Sequence, residues 1–152
     1  LWLDHGNRPS DESYEYIVVP STSIEKLEQN ISKSNVGIIS NSSEIQAVKN
    51  SKLNICQAVF YKAGEIQISK KIKLISDNPG IIMLKWNGEK ITEISVSDPN
   101  RELSKFHMSI SSQIKKQKEG FKSVWNEKLG LSEIIVDLPQ TFYTGKSITI
   151  KL

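Results

Sequence analysis

The residues of this 152-residue chain that could do chemistry are few and scattered. There are two histidines, His5 and His107. His5 lies between Asp4 and Gly6, and a carboxylate that fixes an imidazole tautomer is half of a nucleophile-activating relay. No Gly-x-Ser-x-Gly segment supplies the other half. The segment therefore reads as a turn, with Asp4 binding nearby backbone N–H groups and Gly6 taking a positive φ. His107 sits between Phe106 and Met108; on a strand it faces away from both and reads as a surface or edge histidine. The single cysteine, Cys56, can form neither an internal disulfide nor a zinc cluster. It lies in an apolar run from Leu53 to Phe60 and reads as a small core hydrophobe. Asp11 and Glu12 are adjacent, so on an extended segment they point apart and make a poor acid/base pair. Asp98-Pro99-Asn100 lacks the spaced carboxylates of a calcium loop and reads as an Asx-type turn stiffened by proline. No glycine-rich phosphate loop occurs. The expectation is no catalytic residue, no metal site and no cofactor.

Flat rings that stack on pyranose faces are the remaining chemistry, and Trp86, Trp125, Tyr61 and Tyr143 are the candidates. Trp86 ends an apolar strand and reads as core. Trp125, in Phe121-Lys122-Ser123-Val124-Trp125-Asn126, is the candidate carbohydrate-binding residue. Twenty basic and seventeen acidic residues give a net charge of +3. They are interspersed, which is not the footprint of a nucleic-acid binder. The densest basic stretch, Lys115, Lys116 and Lys118, reads as a solvated loop, or as an attractor for an acidic polymer.

The elements that must position these residues are mostly strands. Isoleucine occurs 21 times and alanine three times, a composition that favours sheet over helix bundle. No apolar run exceeds four residues, so no membrane span is expected. Tyr14 to Val19 reads as a strand closed by Pro20. A helix of about three turns follows near residues 23–33, with Thr22 and Glu25 as a capping box and Ile24, Leu27 and Ile31 on one face. From Val36 onward the pattern is short strands between turn signals: 36–40, 44–49, 53–61, 65–69, 72–75, 81–86, 90–97, a segment through Phe106, Met108 and Ile110, then 132–138 and 146–152. Asp77-Asn78-Pro79-Gly80 and Asn87-Gly88 are the strongest turns. The expected fold is all-β, an antiparallel sandwich of about ten short strands with one short helix. Three large apolar residues, Leu1-Trp2-Leu3, open the chain, which predicts a piece cut from a longer protein.

Four segments in order resemble the carboxy-terminal end of polysaccharide lyase family 8, the chondroitin, hyaluronate and xanthan lyases. They are Trp2-Leu3-Asp4-His5-Gly6 leading to Tyr14-Glu15-Tyr16-Ile17-Val18-Val19-Pro20; Asn41 with Gln46-Ala47-Val48; Val59-Phe60-Tyr61-Lys62-Ala63-Gly64; and Val96-Ser97-Asp98-Pro99-Asn100-Arg101. In the last, Asn100 replaces the family's usual Thr. The similarity covers residues 2 to 101; from Glu102 onward only the strand rhythm is shared.

The resemblance implies that residues 1–34 are the tail of the family's central β domain and residues 35–152 its carboxy-terminal β-sandwich. It implies a secreted or periplasmic parent that abstracts the C5 proton of a uronic acid and expels the 4-linked sugar. In the family an Asn, a His, a Tyr and an Arg of the amino-terminal helical toroid supply that chemistry, and none of those motifs stands in this chain. The implied role is therefore non-catalytic, with the central and amino-terminal domains as partners, and with neither nucleic acid nor membrane as a partner. Two rival readings differ in class: a carbohydrate-binding module for an anionic polysaccharide, and an unrelated immunoglobulin-like interaction domain.

Overall fold

The computed structural model describes residues 6–8, 10, 12–32 and 34–152, without the side chains of Asn30 and Ser32. The chain divides after Ser34 into two compact units. In the first, α1 spans Ile24–Ser32. The carbonyl of Ser23 accepts the N–H groups of Lys26 (3.2 Å) and Leu27 (3.0 Å), so Ser23 rather than Thr22 stands at the N-cap. The Ser23 side chain hydrogen-bonds the Glu25 carboxylate and holds its pKa below the usual value. The N-cap thus stands one residue later than expected, which puts Glu25 at N2 and Lys26 at N3. Ile24 is 84% exposed and Ile31 also lies in solvent. The strand expected at Tyr14 to Val19 is absent: none of residues 12–19 belongs to a ladder. An apolar alternation becomes a strand only beside a neighbour that takes its backbone groups.

The second unit is built from eleven strands: β1 (Val36–Asn41), β2 (Ile45–Asn50), β3 (Ile55–Phe60), β4 (Gly64–Gln67), β5 (Lys73–Ser76), β6 (Gly80–Asn87), β7 (Lys90–Ser97), β8 (Lys105–Ile110), β9 (Phe121–Asn126), β10 (Leu131–Asp137) and β11 (Ile148–Lys151). One sheet has the order β1-β2-β3-β6-β7-β11 and the other β4-β5-β8-β10-β9. Every pairing is antiparallel. The inner faces meet in one core that includes Phe60, Leu84, Ile94, Phe106, Met108, Ile110 and Val136. Alternation carries most of this. In β8, for example, Phe106, Met108 and Ile110 are buried while His107 and Ser109 face outward, half-buried.

Three local departures have physical causes. In β7 the pattern Ile91-Thr92-Glu93-Ile94 breaks period two, yet both isoleucines are buried. The register against β6 shifts between Lys85 and Trp86, so Thr92 is the extra residue of a bulge and its hydroxyl donates to the Lys85 carbonyl at 3.1 Å. The strand expected from Leu53 begins only at Ile55, because Asn54 takes a φ of 51° in the preceding turn. The β6–β7 hairpin turns on Gly88-Glu89, since Asn87 already pairs with Lys90, with Gly88 at φ 60°. Gly80 marks a close approach: a Cβ there would lie 2.4 Å from Phe106 Cε2 and 2.9 Å from the Ser97 carbonyl.

Candidate functional site

The fold puts Cys56 and His107 in different sheets. Cys56 is buried on the inner face of β3, and burial pushes its thiol up to about 12, with a smaller opposing pull from Lys49. A thiol held protonated is inert. His107 lies on β8, the central strand of its sheet rather than an edge. It lines a shallow depression of about 220 Å³ on the outer face with Asp77, Ser109, Leu129, Glu133 and Ile135. That is smaller than the ~300 Å³ at which ligand pockets begin. Ser109 follows two residues later on the same face, so its Cα is about 7 Å away. No hydrogen bond among the described residues joins the imidazole to Ser109, Asp77 or Glu133. The backbone instead stitches the turn to the strand: the N–H of Asp77 donates to the His107 carbonyl at 3.1 Å, and the N–H of His107 donates to Asn78 Oδ1 at 2.9 Å. Among the described residues no group of three or more His, Cys, Asp or Glu could hold a metal ion. No described helix is long and apolar enough to cross a membrane. His5, Asp4 and the Asp11 side of the Asp11-Glu12 pair lie outside the described residues.

Asp98 does form the turn expected of it. The residue is 3% exposed, and its carboxylate accepts the N–H groups of Asn100 (3.0 Å), Glu102 (2.7 Å) and Leu103 (2.7 Å). Three charge-assisted bonds from one side chain fix the 98–103 loop. The loop is further tied to the 139–146 segment, because Ser97 Oγ donates to the Gly145 carbonyl at 2.9 Å.

The aromatic candidates separate by position. Trp86 is partly buried and packs on the core. Trp125 is partly buried near the end of β9, on the same inward face as Phe121 and Ser123. Tyr61 is exposed. Tyr143 is 64% exposed, and Lys146 Nζ lies 5.3 Å from its ring centroid. The aromatic that sequence reasoning does not single out is Phe142, 99% exposed on the short 3-10 turn Thr141–Tyr143. Its signal was present: two adjacent rings between Pro139 and Gly145, in a segment rich in turn residues.

Lys115, Lys116 and Lys118 are exposed on the β8–β9 connection. Beneath them that connection is nailed down by buried serines. Ser132 Oγ accepts the Ile114 N–H at 2.8 Å and donates to the Ser112 carbonyl at 2.7 Å, and Ser123 Oγ donates to the Ile114 carbonyl at 2.9 Å.

Two stacked antiparallel sheets with a single apolar interior define a β-sandwich domain. Residues 37–107 match the family described as polysaccharide lyase family 8, C-terminal beta-sandwich domain. A chondroitinase-AC of Pedobacter heparinus is 30% identical over 99% of this chain, and a xanthan lyase of Bacillus sp. is 28% identical over 66% of it. The chain spans 19% and 10% of those relatives' lengths. Among solved structures, the Streptomyces coelicolor chondroitin AC lyase superposes with a TM-score of 0.74 at 21% identity, covering 99% of this chain and 20% of that one. A Paenibacillus xanthan lyase gives 0.69 at 21%, covering 88% and 12%. The chain belongs to polysaccharide lyase family 8, as its carboxy-terminal β-sandwich region, and the unrelated immunoglobulin-like reading is set aside.

Proposed function

We propose that this chain is the non-catalytic rear portion of a longer bacterial polysaccharide lyase. Residues 1–34 form the tail of the central β domain and residues 35–152 the closing sandwich. The parent is a secreted or periplasmic enzyme that cleaves a uronic-acid-containing polysaccharide, such as chondroitin or hyaluronan, by β-elimination. The observation that carries this reading is the match of residues 37–107 to the family's carboxy-terminal sandwich within a chain one fifth as long as its chondroitinase relative. The exposed Tyr14, Tyr16, Val18, Ile24 and Ile31 support it. Apolar side chains at such density in solvent are what removal of a covering domain leaves.

β-Elimination needs a base at C5 and donors that neutralise the adjacent carboxylate. In the depression on β8 no hydrogen bond among the described residues joins the His107 imidazole to Ser109, and the Asp98 carboxylate is already committed to three N–H groups. Incubation of the chain with chondroitin sulfate or hyaluronan is expected to give no rise in the ultraviolet absorbance of unsaturated uronides. Protein-dependent turnover would overturn the reading.

A second role, binding an anionic polysaccharide, is favoured by the net charge of +3 and the partial exposure of Trp125. A tryptophan-fluorescence shift on titration with chondroitin oligosaccharide, lost in Trp125→Phe, supports it; no shift at millimolar sugar counts against it.

A further inference from the structure

The 139–146 turn and the 98–103 loop form the best-built exposed feature among the described residues. Phe142 and Tyr143 project from a turn closed by three bonds. Thr144 Oγ1 and N–H both donate to the Thr141 carbonyl, at 2.7 and 3.3 Å, and the Lys146 N–H donates to the Tyr143 carbonyl at 2.9 Å. Thr141 holds a φ of 65° and Gly145 one of 87°. Arg101, exposed and at φ 63°, lies against Gly145: a Cβ added there would sit 3.3 Å from Arg101 Cγ and Nε. A side chain at 145 would push the guanidinium away, so glycine keeps the two loops together. No ion pair among the described residues engages Arg101 or Lys146. Two exposed rings and two cations outside any ion pair, carried on two loops that meet at Gly145, are the elements of a preorganised site.

We propose that Phe142, Tyr143, Arg101 and Lys146 bind an acidic sugar unit of a polysaccharide. The pyranose face stacks on the ring of Phe142, and the carboxylate or sulfate meets Lys146 and Arg101. Lys146 already rests over Tyr143, a cation–π position that orients the ammonium without neutralising it. The inference rests on the polysaccharide lyase reading and deepens its second role. A failed binding test removes this site and leaves the scaffold reading standing, whereas turnover by the chain sinks the scaffold reading alone.

The test is isothermal titration of the 152-residue chain with a chondroitin sulfate oligosaccharide at low and at physiological salt. The expected result is binding that weakens with salt and falls roughly tenfold in Phe142→Ala and in Lys146→Gln. Both variants should keep the thermal midpoint of the parent chain, because Phe142 and Lys146 are not core residues. Lys85→Gln, an exposed lysine on β6, should bind as the parent chain does. A neutral glucan oligosaccharide should bind at least tenfold more weakly. Absence of binding at millimolar sugar, equal affinity in all three variants, equal affinity for the neutral glucan, or an equal or higher affinity for a DNA duplex would each overturn the proposal.

Discussion

Cys56 shows how far one residue's chemistry can be read from its neighbours. Its position in an apolar run predicts burial, and the fold buries it between Ala58 and the β2 partner Lys49. The unfolded thiol ionises near pH 9 and the folded one near 12. The folded state therefore keeps its proton where the unfolded state releases it. The stabilisation is fully present below about pH 9 and lost as pH climbs toward 12, a difference of about 4 kcal/mol. Urea unfolding across that interval should show a steeper loss of stability in the parent chain than in Cys56→Ala; parallel slopes would refute the assignment. Asp98 was equally legible, because an Asx turn is made from adjacent residues. For Phe142 the turn-rich segment was legible but the exposure of the ring was not, since that depends on which loops fold against one another.

Among the elements, the alternating strands were legible and the β8–β9 connection was not. Strand β9 presents Phe121, Ser123 and Trp125 inward, and a serine at the middle position hides the apolar period. That serine is there to hold the crossing chain. So is Ser132, fully buried on β10, which satisfies the Ile114 N–H and the Ser112 carbonyl at once. Ser132→Ala leaves a donor and an acceptor unmatched and should cost about 2–4 kcal/mol. Ser132→Cys, with a longer and weaker polar group, should recover part of it. Chemical denaturation reads both, and an alanine variant as stable as the parent would show that water replaces the hydroxyl. Residues 14–19 illustrate the opposite failure: the local pattern is that of a strand, but a ladder is a property of two segments, and the second is not among the described residues. The helix was foreseen with its apolar face but not its exact cap, because Thr22 and Ser23 compete for one position and only the backbone path decides.

At the scale of the whole molecule, the boundary after Ser34 has a sharp energetic consequence. All the buried core residues lie between Ala47 and Ile150, and the partly buried ones packed on them run from Ile39 to Leu152. Residues 35–152 thus own a complete interior. The cut also respects the first ladder. The Asn35 carbonyl accepts the Ser51 N–H at 2.8 Å and Ser51 Oγ at 3.2 Å, and Val36 pairs with Asn50. A chain of residues 35–152 should unfold cooperatively with a thermal midpoint within about 4 °C of the 152-residue chain. A chain of residues 42–152 loses β1 altogether. It uncovers Ile39's place on the core and bares the β2 edge, whose N–H and C=O groups then offer a template for aggregation. That shorter chain should melt at least about 8 °C lower, or associate on concentration. Calorimetry with light scattering on the three lengths separates the outcomes. If the 35–152 chain is the one that loses cooperativity, the sandwich is not self-sufficient and the division of the chain at Ser34 is wrong.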